Sequence, residues 1–302
     1  MSEHLNTYHH IPVLLKASVE NLITDPNGVY VDVTFGGGGH SKEILSKISN
    51  HGKLFAFDKD QNVLNHIPKD ERFEIIFSDF RYLKKYMEYY KIEKLDGILA
   101  DLGLSSHHID ETSRGFSIFS DKPLDMRMNT NQTLTAKNVL MQYSEQQLEF
   151  LIKTFGELTN ARIIAKQLVK DRNKKSFNSC KEFANWAEMF AYGKKVKFLA
   201  QLFQAFRIEV NREIDSLQDL LKQGSELLKT GGRMVVISYH SLEDRKVKQW
   251  FKTGSPELHL EGMQNSEIPF KSLYKQAILP DENELILNSR ARSAKMRIGV
   301  KQ

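Results

Sequence analysis

Four consecutive glycines, Gly36 to Gly39, lie between a β-rich segment and a helical segment, and His40 follows them directly. Glycine at a strand-to-helix turn lets a ligand approach the backbone closely, and the amide groups at the start of the helix attract polar or negative groups. A dinucleotide-binding loop of the G-x-G-x-x-G type would place a further glycine at position 41, where this chain has Ser41. The spacing favours S-adenosylmethionine over a nicotinamide dinucleotide, and a flexible turn without a ligand is the alternative.

Two residues at the ends of later predicted strands could complete a site for a nucleoside. Asp58 lies roughly twenty residues beyond the glycines, where an acidic side chain can accept hydrogen bonds from both ribose hydroxyls. Enzymes that use NAD place an acid similarly, so Asp58 indicates a nucleoside cofactor without naming it, and a solvated acid is the alternative. Phe80 follows the third strand and could lie against the adenine ring or pack in the core.

Asp101 ends the fourth predicted strand and is the first candidate for an active-site carboxylate, because the cofactor's methyl group is expected beside it. Methylation of pyrimidine carbon 5 needs a thiolate that adds to the ring, and the only cysteine, Cys180, lies far along the chain from every strand end. Direct transfer to an exocyclic nitrogen or a hydroxyl fits better. His240, after the fifth strand, could contact substrate or relay a proton, or could be a hydrogen-bonded turn histidine.

Four further residues are candidate substrate contacts. Asp125 and Arg127 could shape a pocket for a target base, or they could form an ion pair within a loop. Arg290 and Arg292 are candidates to bind phosphate groups, because small residues beside them leave the surface accessible. The basic cluster at 166–175 could equally be a solvated helix face.

The elements that must position these residues alternate, from residue 28 onward, between short β-rich runs and longer helical runs. Strands are predicted at 29–34, 53–58, 73–77 and 96–101, and helices at 41–48, 61–66 and 81–90. Such alternation is typical of a parallel sheet with crossover helices, which binds its ligands where the strands end.

After Asp101 the strand pattern stops for roughly a hundred residues. Amphipathic helices are predicted there at 144–155, 161–170 and 181–190, followed by a single helix at 200–228, a stop signal at 230–232 and a strand at 233–238. We predict an α/β fold, a Rossmann-like class I methyltransferase sheet with an inserted all-helical domain. The cofactor-binding domain takes residues 1–108 and 206–302, and the insertion takes residues 109–205 for substrate recognition.

The composition is that of a folded protein and favours a polyanionic partner. The 302 residues are 40% hydrophobic and 27% charged, with a net charge of +5 and a pI near 9.0. One cysteine excludes a disulfide framework, and no ladder of carboxylates or cysteines accompanies the histidine pairs at 9–10 and 107–108, so we expect no metal. The absence of a leader or membrane-spanning pattern predicts a reducing, cytoplasmic location without a membrane partner.

Eight motifs span nearly the whole chain: His10–Leu15, Thr34–His40, Asp96–Gly103, Arg114–Ser117, Pro123–Met128, Phe203–Asn211, Ser238–Arg245 and Ser289–Lys295. Jointly they resemble the bacterial small-subunit ribosomal RNA cytosine-N4 methyltransferases, the RsmH/MraW family. Three segments depart from the family pattern. Residues 105–108 stand where Ser-Ser-Pro-Gln is expected, residues 197–201 replace His-Pro-Ala-Thr-Arg, and Ser289 stands where proline is common.

This resemblance implies transfer of one methyl group from S-adenosylmethionine to N4 of a cytidine in the decoding region of small-subunit ribosomal RNA, expected within an assembled subunit. It also implies a cofactor pocket formed by Gly38, Gly39, His40, Asp58, Phe80, Asp101 and His108. Two alternatives remain. A nicotinamide-dependent oxidoreductase would share the loop and the strand-end acid, and a non-catalytic RNA-binding assembly factor would share the basic clusters. The sequence leaves the oligomeric state open.

Overall fold

The structure is a computed structural model that describes residues 12–103, 114–175, 177–255 and 268–302. The chain divides into two compact units, the first formed by residues 1–103 and 216–302 and the second by residues 104–215. The sequence predicted these boundaries at 108/109 and 205/206. The compact units instead divide at 103/104 and 215/216, and the helix Lys195–Asn211 continues unbroken through position 206.

The first unit, called here the sheet unit, contains one seven-stranded sheet in its described residues. The strands are β1 (Val29–Asp32), β2 (Lys53–Asp58), β3 (Phe73–Phe77), β4 (Leu95–Asp101), β5 (Leu228–Ser238), β6 (Phe270–Ser272) and β7 (Lys295–Lys301). Their order is β3-β2-β1-β4-β5-β7-β6, with β1 to β5 parallel and with β7 antiparallel to both of its neighbours. This arrangement confirms the predicted Rossmann-like α/β sheet.

Helices cover both faces of this sheet, as a parallel sheet requires. In chain order the α-helices of the described residues are α1 (Leu15–Leu22), α2 (Gly39–Lys47), α3 (Leu83–Tyr89), α4 (Ala136–Gln142), α5 (Glu145–Thr154), α6 (Ala161–Asp171), α7 (Cys180–Ala187), α8 (Lys195–Asn211), α9 (Glu213–Leu227), α10 (Ser241–Thr253) and α11 (Glu282–Leu287). On one face, Ile98 of β4 belongs to a buried cluster with Leu217 of α9. On the other face, Leu99 belongs to a cluster with Val19 of α1 and Ile44 of α2.

Most predicted elements occur, and the differences have local causes. Strands β2 and β3 have the predicted bounds, whereas the predicted helix at 61–66 is a 3-10 helix. The single helix predicted at 200–228 is wrong, because Arg212 takes a left-handed conformation with φ of 51° and separates α8 from α9. The predicted stop signal at 230–232 lies inside β5, where Gly231 has a φ of 83° beside a register shift between β4 and β5.

The second unit, called here the helical unit, is held by a core of aromatic and aliphatic side chains. Its helices α4 and α5 begin at capping boxes, in which Thr135 and Ser144 accept hydrogen bonds from backbone amides in the first turn. The ring of Phe183 stacks on Trp186 with centroids 5.8 Å apart and meets Phe206 edge-on at 5.2 Å. Across the described residues of both units, no helix combines the length and the apolar character needed to span a membrane.

Candidate active site

The carboxyl ends of three adjacent parallel strands bring the predicted acidic residues to one edge of the sheet. Strand β1 pairs with β2 on one side and with β4 on the other, so Asp32, Asp58 and Asp101, which end these strands, lie along the same edge. Open α/β sheets bind their ligands at this edge. The sequence therefore placed Asp58 and Asp101 correctly relative to the sheet.

The glycine loop between β1 and α2 adopts a backbone that only glycine accommodates without strain. Gly36 and Gly38 have φ values of 52° and 72°, and the Gly38 amide donates to the Phe35 carbonyl at 2.8 Å. A Cβ atom on Gly37 would meet no described atom within 4 Å. The loop therefore leaves open space beside its backbone, which fits a ligand that approaches the main chain closely.

Asp32 holds the base of this loop and was not among the candidates predicted from the sequence. Its side chain is fully buried, accepting from the Thr34 amide at 3.0 Å and from the Ser41 hydroxyl at 2.7 Å. Burial raises the pKa of Asp32, and the nearby His40 and the Ser41 hydrogen bond oppose that shift. An acid ending an apolar strand directly before a glycine loop is the sequence signal that could have identified it.

Asp58 lies against the other side of the same loop. One of its carboxylate oxygens accepts from the Gly36 amide at 2.8 Å, and the other accepts from the Asp60 amide at 2.8 Å. A carboxylate oxygen can accept hydrogen bonds from more than one donor. The carboxylate is thus fixed by the backbone and is suited to bind vicinal hydroxyls.

Phe80 lies beside a network of charged side chains that no sequence pattern indicates. Its ring is partly buried against the core, and the Lys59 ammonium lies 5.4 Å from the ring centroid. The same ammonium pairs with Asp79 at 2.9 Å, and Arg81 pairs with Asp79 at 3.1 Å. Burial alone would raise the pKa of Asp79, but these two cations outweigh it and lower the pKa.

The Asp101 carboxylate lies among polar groups at the end of β4. One carboxylate oxygen accepts from the Gly103 amide at 3.3 Å, and the other lies 3.9 Å from Nδ1 of His40. Nε2 of His40 lies 3.2 Å from the Val13 carbonyl, which can only accept, so Nε2 carries the proton of that bond. The Tyr239 hydroxyl lies near Asp101, and the carboxylate adds to the effect of burial in raising the pKa of the phenol.

His240 caps a helix in the structure, which is the alternative raised from the sequence. Its Nδ1 accepts from the Glu243 amide at 3.4 Å at the start of α10, and its Nε2 lies 3.1 Å from a Glu243 carboxylate oxygen. His108 lies outside the described residues. The predicted contact of His108 with a cofactor therefore stays a prediction.

Asp125 and Arg127 bind each other in the helical unit. The guanidinium donates to both carboxylate oxygens at 2.7 Å and also to the carbonyls of Thr130 and Gln132. Between the two, Met126 has a φ of 62°. The pair is thus an ion-paired loop, as one of the two interpretations of the sequence expected, and its contact with a substrate stays a prediction.

The basic residues at positions 290, 292, 295 and 297 form two groups with different environments. Arg290 and Arg292 lie on the 3-10 helix Ser289–Ser293, with Arg292 exposed and Arg290 half-buried. In contrast, Arg297 donates two hydrogen bonds to the buried Asp244 at 2.6 and 3.2 Å, and Lys295 lies 3.7 Å from the same carboxylate. Arg297 therefore stabilises the fold and is not a candidate to bind phosphate groups.

Replacing Arg297 with alanine is expected to lower the free energy of unfolding by about 3 kcal/mol, because the Asp244 carboxylate would remain buried without its guanidinium partner. Arg292→Ala is the matched control, since that side chain is exposed and its loss should change stability by less than about 0.5 kcal/mol. Denaturant unfolding of both variants measures the difference. Equal stability of the two variants would contradict the assignment of Arg297.

Cys180 is expected to resist alkylation by iodoacetamide at neutral pH in the folded protein and to react once the chain is unfolded. The thiol is fully buried in the helical unit, 3.2 Å from the Gly115 carbonyl, and burial raises its pKa to about 12. Mass spectrometry of the treated protein measures the modification. Stoichiometric labelling without denaturant would contradict the buried position and would reopen thiolate chemistry.

Known proteins are similar to this chain over nearly its whole length. A sequence profile of the MraW methylase family matches residues 7–302. The ribosomal RNA small subunit methyltransferase H of Bacteroides thetaiotaomicron is 46% identical over 297 residues, covering 97% of this chain and 98% of the relative. The protein of the same name from Cytophaga hutchinsonii is 48% identical over 302 residues, covering 97% of this chain and 100% of the relative. An rRNA methylase structure from Streptococcus thermophilus is 12% identical with a TM-score of 0.40, covering 95% of this chain and 92% of that chain.

Proposed function

We propose, because this chain belongs to the MraW methylase family, that it transfers a methyl group from S-adenosylmethionine to N4 of a cytidine in the decoding region of small-subunit ribosomal RNA. One observation in the structure carries the proposal. The open glycine loop lies at the same sheet edge as Asp58 and Asp101, with one acid ending the strand on each side of β1. That arrangement suits a nucleoside cofactor next to an acceptor amine.

The cofactor supplies an electrophilic methyl group bonded to a sulfonium. In this reaction the amine nitrogen would form a C–N bond as the C–S bond breaks. The electron pair of the C–S bond would remain on the sulfur, which becomes a thioether, and the nitrogen would lose one proton. An arylamine is a weak nucleophile, so alignment of the nitrogen with the methyl carbon is the main task of the protein.

We assign the cofactor contacts to residues of the sheet unit. The glycine loop, with Gly38, Gly39 and His40, lies along the cofactor, and Asp58 accepts from its ribose hydroxyls. Phe80 presents a partly buried ring against which the adenine can lie. These residues bind and orient, and none of them takes part in bond making.

We assign the orientation of the acceptor amine to Asp101. Its carboxylate accepts from the Gly103 amide, so a remaining lone pair can accept one N–H of the target amine. That hydrogen bond orients the amine nitrogen towards the methyl carbon. The carboxylate or solvent then receives the released proton.

We assign RNA binding to basic residues of the sheet unit and to the helical unit. Arg290 and Arg292 contact phosphate groups from the sheet unit, and the helical unit supplies further contacts that recognise the substrate. The target cytidine is read as an unstacked base, as in other enzymes that modify exocyclic atoms of bases. We place the reaction on an assembled subunit rather than on free RNA.

Two measurements test this proposal against its alternatives. Calorimetry should show binding of S-adenosylhomocysteine and none of NADH, and the reverse result would favour a nicotinamide-dependent oxidoreductase. Labelled methyl transfer should be faster to assembled small subunits than to free small-subunit RNA. Equal rates would contradict the preference for subunits, and binding of RNA without any transfer would favour a non-catalytic assembly factor.

A further inference from the structure

Tyr239 follows β5 directly and lies against the end of β4. Its hydroxyl lies close enough to the Asp101 carboxylate for that charge to raise the pKa of the phenol, and its backbone amide donates to a Glu243 carboxylate oxygen at 3.1 Å. The ring packs with the buried cluster that contains Leu99 and Ile237. Both the ring and the backbone of Tyr239 are therefore fixed next to the candidate acid.

Gly103 leaves the space that this ring occupies. A Cβ atom at position 103 would lie 2.7 Å from Cε2, 2.9 Å from Cζ and 3.2 Å from the hydroxyl oxygen of Tyr239. These separations are shorter than normal van der Waals contacts, so a side chain at 103 would displace the phenol from Asp101. The absence of a side chain at Gly103 thus allows the Tyr239 ring to lie beside the Asp101 carboxylate.

We propose that the Tyr239 hydroxyl donates a hydrogen bond to Asp101 and that Tyr239 is thereby a positioning residue for methyl transfer, which holds the Asp101 carboxylate in the orientation that accepts the target amine. The proposal rests on the function proposed above. A hydroxyl that donates to one lone pair of a carboxylate restricts its rotation and leaves the other lone pairs directed elsewhere. Tyr239 thereby acts on the reaction through Asp101.

The surroundings of the phenol keep it a donor. Burial raises the pKa of Tyr239 far above its ordinary value, and the neighbouring Asp101, Glu243 and Glu284 carboxylates raise it further. The phenol therefore stays protonated at neutral pH and is no base for the amine proton. Its contribution is the hydrogen bond that it donates.

Tyr239→Phe keeps the ring and removes the hydroxyl, so it tests the hydrogen bond alone. We expect kcat for methyl transfer to fall about tenfold, with the affinity for S-adenosylhomocysteine within about twofold of wild type. Gly103→Ala, which displaces the ring and keeps the hydroxyl, is expected to lower kcat in the same way. The matched control is Tyr90→Phe, which removes a phenol bonded to the Glu74 carboxylate at 3.0 Å and should leave kcat unchanged.

A double-mutant cycle separates positioning from a general structural role. If Tyr239 acts through Asp101, adding Tyr239→Phe to Asp101→Asn should lower kcat no further. Independent, multiplicative losses, or a Tyr239→Phe variant as active as wild type, would overturn the inference and leave the proposed function standing. An inactive wild-type protein that binds S-adenosylhomocysteine would instead contradict the proposed function, and the role of Tyr239 with it.

Discussion

Gly38→Ala is expected to weaken binding of S-adenosylhomocysteine at least about tenfold, equivalent to about 1.4 kcal/mol. Gly38 has a φ of 72°, and a Cβ atom there would lie 2.8 Å from the Phe35 ring and 3.3 Å from the His66 carbonyl. An L residue in this conformation costs roughly 1–2 kcal/mol, and the clash with the ring adds to it. The loop must therefore move away from the conformation that leaves space for the cofactor.

Gly231→Ala provides the matched control for this effect. Gly231 has a φ of 83°, and a Cβ atom there would meet no described atom within 4 Å, so the substitution carries the conformational cost without a clash near the loop. We expect a small loss of thermal stability in Gly231→Ala and a larger one in Gly38→Ala, with cofactor affinity lowered only by Gly38→Ala. Calorimetry that finds wild-type affinity in Gly38→Ala would contradict the assignment of the loop.

Asp101→Asn is expected to lower kcat about 100-fold or more, while the affinity for S-adenosylhomocysteine falls less than about tenfold. The asparagine side-chain oxygen can still accept the hydrogen bond that the Gly103 amide donates to the carboxylate at 3.3 Å. It replaces one oxygen by an NH2 group, which donates where the target amine must be accepted. The loss should therefore appear in the chemical step rather than in cofactor binding.

Asp96→Asn tests whether this effect belongs to the strand end rather than to any acid of β4. Asp96 lies near the other end of β4, where it accepts from the Val29 amide at 2.8 Å and pairs with Lys229 at 2.9 Å. We expect Asp96→Asn to lower thermal stability and to leave kcat of the folded fraction unchanged. Single-turnover rates compare the variants, and a kcat for Asp101→Asn close to that of wild type would refute the role of Asp101.

The sequence predicted the elements whose signals are local. Strands β2 and β3 are short apolar runs bounded by polar turns, and the glycine loop interrupts the pattern sharply. The break at Arg212 has no such signal, because arginine neither ends nor bends a helix by its own preference. Strand β7 depends on antiparallel pairing with β5, which joins segments far apart in the sequence.

The sequence predicted the candidate site residues that lie at strand ends. It did not predict those whose position depends on tertiary contacts. Asp58 and Asp101 were found because carboxyl ends of neighbouring parallel strands meet. The pairing of Arg297 with Asp244 and the contact of Tyr239 with Asp101 join residues from different elements. No spacing in the sequence indicates which of several arginines or tyrosines makes such a contact.

The most direct test of the proposed activity is transfer of labelled methyl from S-adenosylmethionine to small ribosomal subunits purified from a strain that lacks this protein. Nucleoside mass spectrometry of the extracted RNA then identifies the modified base and atom. We predict that the label is found in N4-methylcytidine. Label in a different nucleoside, or no transfer to either subunits or free RNA, would contradict the account.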